Sequence, residues 1–296
     1  MRIEEEVALD RLTTVGIGGP ARHFARPNTL AELEEALAWA ADRDFDVFTI
    51  GLGSNLLIAD EGVEALVLRL GGELAEAHTE DGLLVAGGGA TNAVCLHRAR
   101  GAGLGGFEFA CAIPGTAGGG VQMNAGAYGG DWKAIVERAL VVSPEGSQWR
   151  PPADLGLEYR RSALGPGEVV ARVEFRLEPR ATEEIKQTMA RMQAQRKAAQ
   201  PTNKRTFGSV FKNPEHELSA GRMLEACGLK GHRIGGAQIS PRHANFIENA
   251  GEGRAAEALA LMAEARRRAL EEFGVELERE VRFVGQLELP PAGEAL

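Results

Sequence analysis

Glycine is placed along this chain in a way that could do chemistry. Three clusters stand out: Gly51-Leu-Gly-Ser-Asn55, Gly87-Gly-Gly89, and a thirteen-residue run from Pro114 to Gly126 that reads PGTAGGGVQMNAG. Backbone without side chains lets consecutive N–H groups converge on an anion, so the chemistry on offer is the holding of phosphate. The first cluster is not a dinucleotide fingerprint, because Leu56 stands at the sixth position, and no GxxxxGK[ST] phosphate loop occurs anywhere. Taken alone, it reads equally well as a hairpin or a helix-capping turn. The third run is longer than turn chemistry needs, and Asn124 within it carries an amide able to pair with a heterocycle edge or a carbonyl. A second feature is a basic cluster, Arg196, Lys197, Lys204, Arg205 and Lys212, around Ser209. It offers a local pocket for a small anion; for the first four residues a solvated basic helix end is the competing reading.

The elements that must carry these residues follow from periodicity. Apolar residues at Leu33, Leu37, Ala40 and Ala41 predict a helix over 30–43, opened by Thr29 and Glu32 as a capping box. A strand over 46–50 runs straight into the first glycine cluster. Further strands are expected over 65–70, 82–86, 141–143 and 169–177, and a short helix over 91–100 stopped by Gly101 and Gly103. Composition shifts near Pro179. A helical stretch over 182–199 ends at Pro201. A short helix over 222–227, strands over 236–240 and 244–248, a helix over 254–273 stopped by Gly274, and a final strand over 276–284 complete the pattern. The fold class expected is α+β. The division expected is a first domain over 1–180 with two lobes split near 60–65, a connecting helix over 181–200, a second domain over 201–285, and a frayed tail over 286–296.

Composition bounds the function. The 296 residues suit about two domains, and 44% hydrophobic with 25% charged residues is ordinary for a globular protein. Lys plus Arg is 33 against 42 Asp plus Glu, a formal charge of −9, which argues against a broad nucleic-acid footprint. Glycine is the outlier at 38 residues, against an average of about 7%. Three widely spaced cysteines suggest neither a disulfide framework nor a zinc site. The acidic start, MRIEEEVALDR, lacks the apolar core of a secretory signal, and no apolar run approaches the ~18 residues of a membrane span. A soluble cytoplasmic protein with no metal, no membrane insertion and no obligate protein partner is the expectation.

Nine motifs in order carry a resemblance across about residues 12–285. They are Thr14-Val-Gly-Ile-Gly-Gly-Pro-Ala21, Gly51-Leu-Gly-Ser-Asn-Leu56, Ile113-Pro-Gly-Thr-Ala-Gly-Gly119, Met123-Asn-Ala-Gly-Ala-Tyr-Gly129, Tyr159-Arg-Arg-Ser162, Gly208-Ser-Val-Phe-Lys-Asn-Pro214, Ile234-Gly-Gly-Ala-Gln-Ile-Ser240, His243-Ala-Asn-Phe246 and Glu280-Val-Arg-Phe283. On these residues the chain resembles the UDP-N-acetylenolpyruvoylglucosamine reductase (UDP-N-acetylmuramate dehydrogenase) family. The resemblance implies a two-lobed FAD-binding domain of the vanillyl-alcohol-oxidase type, followed by a C-terminal α+β domain for the nucleotide sugar. It implies non-covalent FAD, with NADPH as the reductant.

The same resemblance implies roles by position. Gly51, Gly53, Ser54 and Asn55 would hold the FAD pyrophosphate. Ile113, Pro114, Gly115, Thr116, Gly118, Gly119, Asn124 and Ala125 would line the flavin and its phosphates. Arg160, Ser209 and Glu280 would be the catalytic trio: Arg160 a fork for the carboxylate of an enolate, Ser209 the proton donor, and Glu280 an enolate stabiliser or an orienter of the arginine. Arg161 is adjacent, so the arginine assignment could lie one position on. Arg196, Lys212, Asn213 and His243 would contact substrate. Arg279 stands where the family usually has proline before Glu280, and Ala112 where glycine is common. The only tyrosines are Tyr128 and Tyr159, both within flavin-domain motifs, so the chain resembles the subtype without an inserted tyrosine loop. An FAD-dependent oxidase of a hydroxy acid or sugar on the same scaffold is the alternative enzyme, and a non-catalytic flavin or nucleotide-sugar sensor a more distant one.

Overall fold

The computed structural model describes residues 1–292, so the end of the expected tail lies outside the described residues. The chain forms two compact units. Unit 1 contains Met1–Glu6, Arg22–Leu52 and Glu64–Arg196; unit 2 contains Val7–Ala21, Gly53–Val63 and Lys197–Leu296. The division by contacts is interleaved, where the sequence suggests consecutive parts over 1–180, 181–200 and 201–285. Two N-terminal segments belong with the C-terminal unit because their apolar residues, Val15, Ile17 and Leu57, are buried in its core with Phe207, Phe211 and Val281.

Unit 1 is built on an antiparallel five-stranded sheet in the order Gly146–Arg150, Val136–Ser143, Val169–Arg176, Leu83–Gly87, Ala77–Glu80. Successive side chains of a strand point to opposite faces. Ala139 and Val141 accordingly enter one core with Phe107, Trp132 and Phe175, whereas Leu140 and Val142 enter a second with Leu33, Leu37, Leu66 and Leu68. One sheet thus serves two lobes. Helix α1 (Leu30–Ala41) buries Leu33, Ala36, Leu37 and Ala40 in the second core. Its capping box is only half formed: Thr29 accepts from the Glu32 amide at 3.2 Å, while the Glu32 carboxylate takes the Asn28 amide at 2.6 Å.

Helix α2 (Asn92–Gly101) is capped by Thr91, and α3 (Ala117–Met123) by Thr116. The sequence reading left α3 inside a glycine loop. Glycine is a poor helix former, but a Cβ on Gly120 would stand 2.1 Å from Trp132 Cε2, so close packing on the indole requires it. A short turn, α4 (Pro152–Leu155), precedes α5 (Thr182–Ala199), whose bounds match expectation.

Unit 2 has a four-stranded antiparallel sheet in the order Thr206–Ser209, Phe246–Asn249, Ala237–Ile239, Arg233–Ile234. The long α7 (Ala255–Phe273) packs on it and helix α6 (Ala220–Ala226) packs on α7, which ends at left-handed Gly274 as expected. Asp60 caps α7 from elsewhere in the chain, accepting from Ala255 N at 2.8 Å and Ala256 N at 3.2 Å. The strand expected over 276–284 is regular only at Arg282–Val284, paired in parallel with Leu56–Ile58. Residues 278–280 instead bond to 210–212.

Candidate active site

In unit 1, Asn92 shapes the loop over 113–116. It is 3% exposed; its Nδ2 donates to Ile113 O at 2.8 Å and its backbone N–H to Gly115 O at 3.0 Å. Its Oδ1 is buried with no partner among the described residues. Pro114 follows Ile113 at the exposed tip, and Thr116 caps α3 through Gly119 N at 3.3 Å. The Gly118 amide is committed to Gly88 O at 2.8 Å, so Gly118 and Gly119 serve helix packing and capping through their own N–H groups. Asn124 departs most from expectation. It is 2% exposed, its Nδ2 donates to Glu158 O at 3.0 Å, and its Oδ1 accepts from Lys133 N at 2.8 Å. Both ends of the amide are already engaged inside the protein. Ala125 likewise spends its amide on Gly120 O at 2.9 Å and its carbonyl on Trp132 N at 3.0 Å.

Arg160 sits in the same unit with left-handed backbone (φ 56°), a conformation non-glycine residues seldom keep unless their surroundings impose it. Its Nη2 donates to Gly126 O at 2.9 Å and its guanidinium stacks 4.9 Å from the Tyr159 ring centroid. Arg161 instead leaves 66% of its side chain in solvent and pairs with Glu158. Arg196 donates to Ala112 O and has its Nε buried without a partner among the described residues, and burial pulls its guanidinium below the usual range. It braces the carbonyl that enters the Ile113 loop, where the sequence suggested a substrate contact. Gly51 comes so close to Thr116 that a Cβ would stand 2.8 Å from Oγ1.

In unit 2, Gly53 is buried and left-handed (φ 61°), and a Cβ there would lie 2.2 Å from Leu12 O. The backbone N–H groups of Gly53 and Asn55 donate to nothing among the described residues. Ser54 presents its carbonyl toward Gly208, where a Cβ would be 3.3 Å away; Gly208 is left-handed (φ 84°) and immediately precedes Ser209. Asn55 Nδ2 donates to Glu280 O at 3.2 Å, and Asn55 O accepts from Arg282 N at 3.0 Å. Glu280 N donates in turn to Val210 O at 2.8 Å. The chain thus brings Ser209, Glu280 and the Ser54–Asn55 turn together through backbone.

The expected substrate contacts of unit 2 are largely engaged already. Lys212 pairs with Glu278, with only 15% of its own side chain exposed. Asn213 Oδ1 accepts from Ala220 N at 3.2 Å, at the start of α6. His243 accepts from Asn245 N on Nδ1 at 3.2 Å and packs on Gly221 and Phe246. Sequence reasoning missed Arg282. It is half-buried, and burial first, then nearby Arg279, lower its guanidinium pKa. Among the described residues it makes no ion pair. The signal was present: Arg282 lies two residues after Glu280 in a motif already singled out.

Comparison with known proteins gives the family. The family model for the C-terminal domain of UDP-N-acetylenolpyruvoylglucosamine reductase matches residues 200–284, and an FAD-binding domain model matches residues 21–150. UDP-N-acetylenolpyruvoylglucosamine reductase 2 of Symbiobacterium thermophilum is 43% identical over 286 residues, covering 96% of this chain and 92% of that protein. The chain belongs to the UDP-N-acetylenolpyruvoylglucosamine reductase family. The reductase of Anaeromyxobacter dehalogenans is 44% identical over 279 residues, covering 94% of this chain and 84% of that one. The crystal structure of the Thermus caldophilus reductase superposes with a TM-score of 0.84 at 39% identity, covering 96% of this chain and all of that one.

The fold is the α+β arrangement of that family, with a two-lobed FAD-binding domain of the vanillyl-alcohol-oxidase type and a C-terminal α+β domain. The residues present fit FAD. In unit 2, Gly53 and Asn55 offer backbone donors with no acceptor among the described residues, at a turn that glycine alone can make. No group of three or more His, Cys, Asp or Glu side chains among the described residues could hold a metal ion. No helix among them is long and apolar enough to cross a membrane.

Proposed function

We propose that this protein reduces the enolpyruvyl ether of UDP-N-acetylglucosamine to UDP-N-acetylmuramate, a step of peptidoglycan synthesis, with NADPH as reductant. The cytoplasm is the compartment where these nucleotide substrates would be met. The observation that carries the reading is the hydrogen-bonded run that registers Ser209 against Glu280 through Val210, inside a chain with the family's motifs in order. Bound FAD supplies a ring that accepts two electrons from NADPH and passes hydride to the terminal carbon of the enolpyruvyl group.

The chain's own residues do the rest. Hydride addition leaves negative charge on the carbon beside the carboxylate and on the carboxylate oxygens. Arg160 offers two parallel N–H donors to that carboxylate, and its left-handed backbone and stacking on Tyr159 hold the fork in one orientation. Arg282, which makes no ion pair among the described residues, adds a cation two positions after Glu280 for an anionic ligand. Ser209 gives its hydroxyl proton to the carbanionic carbon. Serine is a weak acid in water, but a strongly basic acceptor held at contact removes most of that handicap. Glu280 either lends a proton to the enolate oxygens or orients the arginine.

Gly51, Gly53, Ser54 and Asn55 would hold the FAD pyrophosphate, and Ile113, Pro114, Gly115 and Thr116 would line the flavin. The oxidase alternative is weaker, because an oxidase has no use for an enolate-stabilising trio. The test is Ser209→Ala in the FAD-loaded enzyme. NADPH should still bleach the flavin, and the enolpyruvyl substrate should fail to restore its colour; normal turnover would remove Ser209 from the mechanism.

A further inference from the structure

The sequence pointed to His243 as a substrate contact, yet the more deeply buried polar residue of the same motif is Asn245, at 4% exposure. Its side-chain amide acts as a substitute peptide unit. Phe211 N donates to Asn245 Oδ1 at 2.9 Å, and Asn245 Nδ2 donates to Phe211 O at 2.8 Å. The reciprocal pattern fixes which end of the amide is oxygen. The backbone carbonyl of Asn245 also accepts from Val210 N at 2.9 Å. Regular strand pairing stops at Ser209 opposite Phe246, after a register shift between Thr206 and Ser209. Asn245 carries the ladder two residues past that point.

The other edge of the same segment is bound as firmly. Val210 O accepts from Glu280 N at 2.8 Å, and Lys212 N donates to Glu278 O at 2.8 Å. Val210–Lys212 is therefore clamped between Asn245 on one side and 278–280 on the other. Ser209 precedes the clamp and Glu280 ends it. Asn245 is itself held by His243, whose Nδ1 must carry a lone pair to accept the Asn245 N–H at 3.2 Å. Burial, followed by nearby Lys230, lowers the His243 pKa and keeps that lone pair free, with Glu225 opposing.

We propose that His243 and Asn245 form a positioning pair that sets Ser209 against Glu280 for proton delivery, and that His243 acts through Asn245 rather than on the substrate. The inference rests on the reading of Ser209 as proton donor, and deepens it. Neither residue need touch substrate or flavin.

The experiment separates the two half-reactions by stopped flow in FAD-loaded enzyme. Asn245→Asp keeps size and an acceptor for Phe211 N but cannot donate to Phe211 O. Reduction by NADPH should stay within about twofold of the wild type. Reoxidation by enolpyruvyl-UDP-N-acetylglucosamine should slow roughly ten- to hundredfold, the penalty of a small misplacement of a reacting group. His243→Ala should slow reoxidation in the same way, and His243→Asn, whose Oδ1 can stand where Nδ1 stood, should restore most of it. The histidine pair decides the matter should Asn245→Asp not fold.

Wild-type reoxidation in folded Asn245→Asp would overturn the proposal, as would a parallel fall of both half-reactions. Failure of His243→Asn to restore the rate would return His243 to substrate contact. Ser209→Ala, run alongside, separates the levels. Slow reoxidation there with wild-type behaviour in Asn245→Asp removes the pair alone; normal turnover there removes the reading beneath it.

Discussion

Replacing Asn92 by leucine should uncouple FAD affinity from stability. Leucine keeps the branching and the heavy-atom count of asparagine, with methyl groups bulkier than the amide oxygen and nitrogen. The loss is specific: Ile113 O no longer receives the 2.8 Å bond from Nδ2, and a partly buried carbonyl left unpaired costs about 1–3 kcal/mol. The apo protein should show less than this, because leucine also removes the buried Oδ1 that has no partner among the described residues. If order in the loop over 113–116 is what the flavin needs, most of the cost should fall on binding. A loss of about 1–3 kcal/mol is roughly 5- to 150-fold in Kd. The assay is flavin fluorescence quenching during reconstitution of deflavinated protein, with thermal unfolding of the apo form in parallel. The FAD Kd should rise within that range while the apo Tm moves by less than about 4 °C, the upper shift per kcal/mol for a chain of this size class. An unchanged Kd would refute the reasoning, and a large fall in Tm with unchanged Kd would make Asn92 a purely structural residue.

Three further outcomes follow. Arg160→Lys should lower kcat/KM at least about tenfold, since a point charge cannot replace a planar fork; Arg161→Ala should stay within about threefold, as expected for an exposed ion pair, and steady-state kinetics would expose a reversal of the two. Gly120→Ala forces a methyl group into Trp132, and overpacking of this kind costs about 1–3 kcal/mol or more, visible as a lower denaturation midpoint; wild-type stability would mean α3 can shift. The Arg150 hydrogen bond lowers the Glu168 pKa, so the stabilisation this pair gives is present above the ordinary carboxylate pKa and is lost as pH falls through the depressed folded value. Glu168→Gln should therefore flatten the acid limb of Tm against pH, and an unaltered limb would count against the pair.

Where periodicity was strong the sequence was legible. The helix over 182–199 and the Gly274 stop of α7 were read closely because each rests on local signals, a terminating proline and a left-handed glycine. The helix α3 was not, since AGGGVQM has neither periodicity nor propensity, and its Gly120 is what lets it pack on Trp132. The strand Ile3–Ala8 was hidden by its three consecutive glutamates. The strand over 276–284 was read too long, because pairing with 210–212 is a long-range event that its own alternation cannot announce.

In the site, the motifs drew the eye to residues with evident chemistry. His243 and Asn124 were named and Asn245 and Asn92 passed over, since an amide acting as a peptide surrogate looks the same in sequence as one awaiting a ligand. Only the partners, Phe211 in one case and Ile113 in the other, tell these apart. The interleaving of Val7–Ala21 and Gly53–Val63 with the C-terminal unit was illegible for the same reason.

The most direct test of the central claim is an anaerobic visible-absorption titration of the FAD-loaded protein, with NADPH added first and enolpyruvyl-UDP-N-acetylglucosamine second. The account predicts bleaching by NADPH and return of the yellow colour on addition of the sugar nucleotide, with UDP-N-acetylmuramate formed in equal amount. Bleached flavin that stays bleached with the sugar nucleotide and recovers only in oxygen would contradict it and favour an oxidase.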